Sequence, residues 1–180
     1  MPKKGGCIIA SNHLSYLDPI VLAVGSPRIL SFMAKKELFS HHGLVFKWVI
    51  SALNAFPLDR GNADLKAMRF AINKLKQGNT LIIFPEGTRS RSGEVKDAQA
   101  GVGMLAAKAD VVVIPAYIKG SDKALPAETK KISFFSPISV IFGPALKFRK
   151  DDSSKDIKAQ YQAFSSEIIK QIKELENKAV

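Results

Sequence analysis

An uninterrupted apolar run over residues 80–84 (TLIIF) constrains the fold of this chain more than any other stretch. Apolar side chains at successive positions are typical of a strand that is buried on both faces, as in a parallel sheet. A helical pattern precedes the run, with Asn62 as its N-cap, apolar residues at helical spacing and Gly78 at its end. A polar segment, residues 85–93, follows directly. A buried strand next to an amphipathic helix favours a layered α/β domain.

The same alternation of short apolar runs and helical patterns extends along the whole chain. In the last predicted helix one apolar stripe repeats at helical spacing, and Ser153 with Asp156 is expected as its capping pair. Pro115 lies within a predicted strand and indicates an edge strand or a bulge, because proline cannot donate to a ladder. The pattern predicts further strands over residues 7–11, 28–34, 111–118 and 138–142, an extended piece from residue 55 that turns at Gly61, and helices over residues 19–24, 35–39, 43–53, 101–109 and 153–177.

Length and composition fit one domain. The 180 residues are 46% hydrophobic, which is enough for one substantial core, and no shift in composition marks a second. We therefore expect a single α/β domain over residues 1–180, with a mixed, mostly parallel central sheet flanked by helices. No run reaches the roughly 20 apolar residues of a bilayer-spanning helix. The longest uncharged run, residues 132–146, is interrupted by Pro137, Gly143 and Pro144.

The chain is strongly basic, with a formal net charge of +11 from 27 Lys and Arg against 16 Asp and Glu. Such a charge favours anionic partners, among them phosphates, anionic lipids and acidic proteins. Nucleic acid is not an expected partner, because the sequence has none of the aromatic and basic signatures of the common binding modules. A single cysteine excludes an intrachain disulfide, and His41 and His42 have no third metal-binding residue at a useful spacing. No metal site is expected.

Residues 11–18 (SNHLSYLD) follow the first predicted strand and precede Pro19, which opens a helix. This position brings side chains to the carboxyl edge of a parallel sheet, where ligands usually bind. His13 is therefore a candidate general base, and Asp18 is close enough to accept a hydrogen bond from one imidazole nitrogen and leave the other basic. Two simpler interpretations remain open: His13 as an ordinary turn residue, and Asp18 as an N-cap with Pro19 at the first helical position.

Two further loops leave predicted strands with charged residues. One contains Arg60, and the other contains Glu86 and Arg89. The ends of parallel strands lie at one edge of a sheet, so these loops are expected to converge on one rim together with His13. The expected site combines a base with two guanidinium groups.

Four sequence blocks, in this order, resemble the membrane-associated glycerolipid acyltransferases, in particular the 1-acylglycerol-3-phosphate O-acyltransferases. The blocks are NHLSYLD at residues 12–18, FPLDRG at 56–61, FPEGTRS at 84–90 and VIPA at 113–116. The resemblance covers about residues 5–148, and four blocks in the family's order favour the catalytic interpretation of His13 and Asp18 over the two simpler ones.

The resemblance implies a role for His13 as the general base that takes the proton of the acceptor hydroxyl. Asp18 would orient the imidazole and balance its charge, so that the hydroxyl attacks the acyl thioester directly and no acyl-enzyme forms. Cys7, Ser11 and Ser15 would then have no part as nucleophiles.

The resemblance also implies that Arg60 and Arg89 bind the phosphate of the acceptor, because a planar guanidinium suits bidentate contact with an anion. The amides around Gly87 and Thr88 are expected to add to this site. Glu86 would repel a phosphate, so we expect it to hold an arginine or backbone amides in place, or to bond the glycerol hydroxyl. The remaining residues are Asn12, Gly61 and Ser90 in supporting positions, and Pro115, which is either structural or in contact with the acyl donor.

The reaction implied by the resemblance is acyl transfer from acyl-CoA or acyl-carrier protein to lysophosphatidic acid, giving phosphatidic acid, with no cofactor. The alternatives are the same chemistry on glycerol 3-phosphate, another lysolipid or a phosphate-free lyso-aminolipid, and a membrane-binding or acyl-carrier-binding module that has lost catalysis. Only six residues precede Cys7, where many members of the family have an apolar anchor. The chain is therefore expected as a peripheral protein at the cytoplasmic face of the membrane, without a transmembrane helix, unless an anchoring segment precedes it.

Overall fold

The computed structural model describes residues 1–35, 55–58, 64–90, 95, 97–126, 133 and 136–179. Strands and helices alternate along most of this part of the chain, as predicted, and β6 and β7 follow each other without a helix between them. The strands are β1 (Cys7–Ser11), β2 (Leu30–Lys35), β3 (Ala55–Leu58), β4 (Thr80–Ile83), β5 (Val112–Lys119), β6 (Ser139–Phe142) and β7 (Leu146–Lys147). The helices are α1 (Asp18–Gly25), α2 (Asp64–Lys76), α3 (Gly101–Ala109), α4 (Ser121–Ala124) and α5 (Ile157–Glu176).

The strands form one sheet in the order β3-β2-β4-β1-β5-β6, and β7 also pairs with β5. Strands β1 to β5 run parallel to one another, whereas β6 and β7 are antiparallel to β5. The predicted mixed, mostly parallel sheet is therefore confirmed. The central strands β1 and β4 are buried at every residue, which explains why both appear in the sequence as uninterrupted apolar runs.

Apolar side chains cover both faces of the sheet. Ile8 of β1 belongs to a cluster that contains Leu105 of α3 and Ile168 of α5. Its neighbour Ile9 belongs to a second cluster, which contains Leu22 of α1. Successive side chains of a strand point to opposite faces, so the helices lie on both sides of the sheet. The carboxyl ends of β1 and β4 therefore lie between two layers of helices.

Pro115 lies in β5, which is an interior strand, so the edge strand, one of the two alternatives predicted for it, is wrong. On one side Pro115 pairs with Ala10 of β1. On the other side the ladder is interrupted between Leu146 of β7 and Phe142 of β6, and the Pro115 carbonyl accepts a hydrogen bond from Gly143 there at 2.8 Å. Proline is tolerated at this position because its missing N–H faces the break in the antiparallel ladder.

The cap of α5 also differs from the prediction. The helix begins at Ile157, and Asp156 is its N-cap, with a side chain that accepts from two backbone amides of the first turn at 2.9 and 3.0 Å. Ser153 takes no part in this cap, because its amide and its hydroxyl both donate to Asp151 in the preceding turn. The expected pairing of Ser153 with Asp156 is therefore wrong.

Some of the predictions fall outside the described residues, namely the helices beyond Lys35 over residues 36–39 and over 43–53, the N-cap Asn62, and His41, His42, Arg60 and Gly61. Among the helices that the structure does describe, none combines the length and the apolar composition that crossing a bilayer requires.

Candidate active site

The loop that follows β1 brings His13 against Asp18. The distance from His13 Nδ1 to Asp18 Oδ2 is 2.8 Å, and the side chain of Asp18 is completely buried whereas that of His13 is 19% exposed. A carboxylate only accepts hydrogen bonds, so Nδ1 is the protonated nitrogen and Nε2 has the free lone pair. The imidazole is therefore oriented by a buried carboxylate and has one basic nitrogen available to a substrate.

Asp18 is turned towards the loop and does not cap the helix. Its Oδ2 also accepts from the backbone amides of Leu14 at 2.7 Å and Ser15 at 2.8 Å. Helix α1 begins at Asp18 itself, and the N-cap position is Leu17, which makes no side-chain capping bond. The interpretation of Asp18 as an N-cap is thus wrong, and the carboxylate instead holds the loop and the imidazole together.

The loop after β4 holds the backbone of His13. Glu86 Oε1 accepts from the His13 amide at 3.1 Å, and the Ser90 amide donates to the His13 carbonyl at 2.8 Å. The imidazole stacks on Phe84, with 3.9 Å between ring centroids and 15° between the planes. His13 and Glu86 are 73 positions apart in sequence, so the structure brings together two of the three loops expected to converge. The third loop, with Arg60, lies outside the described residues.

Asn12 ties the same loop to β5. Its Nδ2 donates to the Ile118 carbonyl at 2.9 Å, and its Oδ1 accepts from the Ile118 amide at 2.8 Å. Asn12 is almost completely buried, so these two bonds satisfy its side-chain amide in the way that a neighbouring strand would. His13 therefore follows a residue that is held against β5.

The segment from Glu86 to Ser90 contains the predicted phosphate-binding groups. Gly87 has a φ of +72°, a conformation that glycine adopts without strain. Its amide donates to the Phe84 carbonyl at 3.0 Å and is therefore already committed to the turn. The amide of Thr88 has no partner among the residues that the structure describes, and Thr88 is exposed. Of the two amides expected to meet an anion, only that of Thr88 is available.

Arg89 has a partner that sequence reasoning missed. Its guanidinium carbon lies 3.8 Å from the centroid of the Tyr16 ring, and its Nη2 donates to the Tyr16 hydroxyl at 2.9 Å. Both residues belong to blocks that resemble the family, but no spacing rule links position 16 to position 89. The sequence signal for this contact was limited to one aromatic residue in the loop after β1.

The side chains that resemble nucleophiles are packed away from this site. Cys7, Ser11 and Ser15 are all fully buried. The Cys7 thiol donates to Thr80 at 3.4 Å and the Ser15 hydroxyl to the Leu125 carbonyl at 2.9 Å. Pro115 is likewise buried inside β5, where its contacts are those of a structural residue. Among the described residues no group of His, Cys, Asp or Glu could hold a metal ion.

A mostly parallel sheet whose carboxyl edge holds a histidine against a buried carboxylate defines the class of this molecule, an α/β protein with a histidine–aspartate pair at the edge of its sheet. Residues 1–119 match the sequence profile of the Acyltransferase family. A 1-acyl-sn-glycerol-3-phosphate acyltransferase of Bacillus subtilis is 31% identical over 182 residues, which cover 99% of this chain and 85% of that protein. The chain therefore belongs to the acyltransferase family, and the resemblance predicted from the four blocks is confirmed.

Two further comparisons agree with this assignment. A 1-acyl-sn-glycerol-3-phosphate acyltransferase of Streptococcus pneumoniae is 33% identical over 138 residues. The aligned residues are 74% of this chain but only 50% of that protein. The crystal structure of the 1-acyl-sn-glycerophosphate (LPA) acyltransferase PlsC from Thermotoga maritima superposes with a TM-score of 0.67 at 28% identity, covering 96% of this chain and 68% of that one. The fold predicted from the sequence is therefore that of a solved acyltransferase.

Proposed function

We propose that this chain transfers a fatty acyl group from acyl-CoA or acyl-carrier protein to the free hydroxyl of 1-acylglycerol 3-phosphate, giving phosphatidic acid. The observation on which this rests is the 2.8 Å contact between His13 Nδ1 and the buried Asp18 carboxylate, in a chain that belongs to the acyltransferase family. The names of the relatives from Bacillus subtilis and Streptococcus pneumoniae support the choice of acceptor.

In the proposed reaction the free Nε2 of His13 takes the proton of the acceptor hydroxyl while its oxygen attacks the thioester carbonyl carbon. The tetrahedral intermediate then collapses, the carbon–sulfur bond breaks, and the imidazolium returns its proton to the departing thiolate. The positive charge on His13 exists only between these two steps. Asp18 stabilises it most strongly then, because the carboxylate lies in a buried site of low dielectric.

Direct transfer is favoured over an acyl-enzyme by the surroundings of the candidate nucleophiles. Cys7 lies inside β1, and the hydroxyl of Ser15 is committed to the Leu125 carbonyl. An attacking group must reach both the base and the thioester, and full burial of these side chains argues against that. No metal or cofactor is part of the proposal.

Arg89 is the described residue best suited to bind the acceptor phosphate. It is adjacent to Ser90, whose amide bonds the His13 carbonyl, so the guanidinium and the imidazole belong to one connected unit. Arg60 is proposed as a second phosphate ligand from the family resemblance. Glu86 accepts from the His13 amide, and this contact supports its proposed role as a residue that holds the backbone of the base.

The proposed location is the surface of the cytoplasmic leaflet, with peripheral attachment. The net charge of +11 favours anionic headgroups, and the acceptor itself is a lipid. The first alternative is the same chemistry on another acceptor, and the second is a binding module without catalysis.

The experiment that tests the proposal is an acceptor panel on small liposomes. Lysophosphatidic acid, glycerol 3-phosphate, lysophosphatidylcholine and a phosphate-free lyso-aminolipid are each offered with acyl-CoA and with acyl-carrier protein. Lysophosphatidic acid should be acylated fastest, and His13→Ala should lower the rate by about 10²–10⁴-fold, the usual contribution of a general base. Binding of His13→Ala to liposomes should equal that of the wild type.

Three results would contradict the proposal. Rapid acylation of the phosphate-free acceptor alone would reject the substrate class. A His13→Ala variant with most of its turnover would show that the base is another residue, and a wild type that binds liposomes but acylates no acceptor would support the binding module.

A further inference from the structure

Arg89 and Tyr16 form a pair beside the base that the proposed chemistry does not by itself require. The guanidinium carbon is 3.8 Å from the Tyr16 ring centroid, within the range of a cation–π contact. Arg89 Nη2 also donates to the Tyr16 hydroxyl at 2.9 Å. The ring and the hydroxyl of one tyrosine thus restrain both the plane and the rotation of the guanidinium.

The rest of the guanidinium is left ready for an anion. Arg89 Nη1 is buried and has no hydrogen-bond partner among the described residues, and none of the carboxylates described in the structure forms an ion pair with Arg89. A buried charged donor without an acceptor is unfavourable unless a ligand supplies one. Because a tyrosine is neutral, it fixes Arg89 without cancelling the positive charge, whereas an aspartate or glutamate in its place would compete with the ligand.

The pair is also fixed relative to His13. Tyr16 belongs to the loop that the Asp18 carboxylate holds through the amides of Leu14 and Ser15. Arg89 precedes Ser90, whose amide donates to the His13 carbonyl. Restraint of Arg89 by Tyr16 therefore sets the distance between a phosphate-binding group and the base that acts on the same substrate.

We propose that Tyr16 is a positioning residue of the acceptor site, which holds the Arg89 guanidinium so that its Nη1 meets the acceptor phosphate. This inference rests on the proposed function, in which Arg89 binds that phosphate. Tyr16 is 45% exposed, so an incoming headgroup can approach the pair from solvent. The tyrosine itself makes no contact with the reacting atoms.

The test compares Tyr16→Phe, which keeps the ring and loses the hydroxyl, with Tyr16→Ala, which loses both contacts. Tyr16→Phe should raise the KM for the phosphate-bearing acceptor about 3-fold and Tyr16→Ala about 10-fold or more, with kcat within about 2-fold of wild type. The KM for the acyl donor should not change. Tyr117→Phe is the matched control, since it removes a hydroxyl that donates to Glu176 and should leave the acceptor KM unaltered.

A double-mutant cycle separates positioning from a general structural effect. In an Arg89→Ala background, Tyr16→Ala should cause no further increase in acceptor KM, because the residue it positions is gone. An equal increase in both backgrounds, a parallel rise in the donor KM, or an unchanged acceptor KM in Tyr16→Ala would overturn the inference. Melting curves followed by circular dichroism confirm that each variant is folded.

A readout without turnover distinguishes failure of this inference from failure of the proposed function. Inorganic phosphate that binds the site should raise the melting temperature of the wild type, and Tyr16→Ala should need about 10-fold more phosphate for the same shift. If the wild type acylates no acceptor yet this difference is found, the proposed function is wrong and the role of Tyr16 stands. If both proteins respond equally to phosphate, the role of Tyr16 is rejected whatever the enzyme acylates.

Discussion

At the scale of single residues, one carboxylate oxygen bonds both the backbone of a loop and the imidazole that is proposed as the base. Asp18 Oδ2 accepts from His13 Nδ1 and from the amides of Leu14 and Ser15. The two amides keep the carboxylate in place when the imidazole is neutral. In the proposed reaction the same carboxylate would already be oriented when the proton arrives on His13, so that little reorganisation would accompany the charge.

Asp18→Asn tests this arrangement. The substituted side chain keeps one oxygen for the loop amides but has no negative charge for the imidazolium, so kcat should fall by about 10²–10⁴-fold. The melting temperature should change much less, because an amide oxygen still accepts from Leu14 and Ser15. Steady-state rates and thermal melts of the same preparation measure both effects.

Ser15→Ala is the matched control within the same loop. It removes the bond that the Ser15 hydroxyl donates to the Leu125 carbonyl and the bond that this hydroxyl accepts from the Leu17 amide. The side chain of Asp18 is unchanged. We expect a loss of stability of about 1 kcal/mol, typical of a buried hydrogen bond, with kcat within a few fold. An Asp18→Asn variant that is as active as Ser15→Ala would show that the carboxylate only shapes the loop.

The spacing of His13 and Asp18 allowed a contact between them but left two simpler interpretations open, and only the four sequence blocks in order favoured the pair. Sequence spacing was not sufficient for the contacts of Glu86 with the His13 amide or of Arg89 with Tyr16. Both join residues 73 positions apart. Such contacts depend on the side-chain rotamers of two loops that meet only after the sheet has formed. A local sequence pattern therefore does not predict them.

At the scale of elements, the crossing of α3 and α5 depends on a glycine. A Cβ on Gly103 would lie 2.2 Å from the Tyr161 carbonyl oxygen, much closer than van der Waals contact allows. The Gly103 amide donates to the Ser165 hydroxyl at 3.0 Å, and that hydroxyl donates to the Tyr161 carbonyl at 2.9 Å. The two helices therefore approach closely enough for a backbone to contact a backbone.

Gly103→Ala should force the two helices apart. We expect a loss of about 1–3 kcal/mol, as for other overpacked interiors, which corresponds to about 2–4 °C of melting temperature per kcal/mol in a chain of this length. Gly101→Ala is the control in the same helix, because a Cβ there meets only Met68 Cε at 3.9 Å. Equal melting temperatures of the two variants would contradict the close approach.

Elements were predictable where one local signal determined them. The apolar runs of β1 and β4 and the helical pattern of α3 all match the structure, since burial and periodicity act over a few residues. Of the two alternatives predicted from Pro115, the edge strand was wrong, because β5 pairs with β1 on one side and with β6 and β7, which come later in the chain, on the other. The pairing of a strand depends on its neighbours, and proline alone does not reveal them.

At the scale of the whole molecule, the sheet topology brings the residues of the candidate site together, and the composition determines the net charge. The parallel strands β1 and β4 are adjacent, so the loops that follow them meet although their sequences are distant. The net charge of +11 favours anionic partners, among them anionic headgroups. The fold therefore provides the geometry of the candidate site, and in the proposed function the overall charge would attract the protein to an anionic lipid surface.

The proposed peripheral attachment through this charge predicts how the protein binds vesicles. Binding should be stronger to vesicles with about 30% anionic lipid than to neutral ones, because each basic residue near the surface contributes roughly 1 kcal/mol. Raising the salt from about 0.1 M to about 1 M shortens the Debye length from about 10 Å to about 3 Å and should release most of the protein. Sedimentation of the protein with vesicles measures both effects, and His13→Ala should sediment like the wild type. Equal binding to neutral and anionic vesicles would assign attachment to apolar side chains, since contacts of that kind are insensitive to screening.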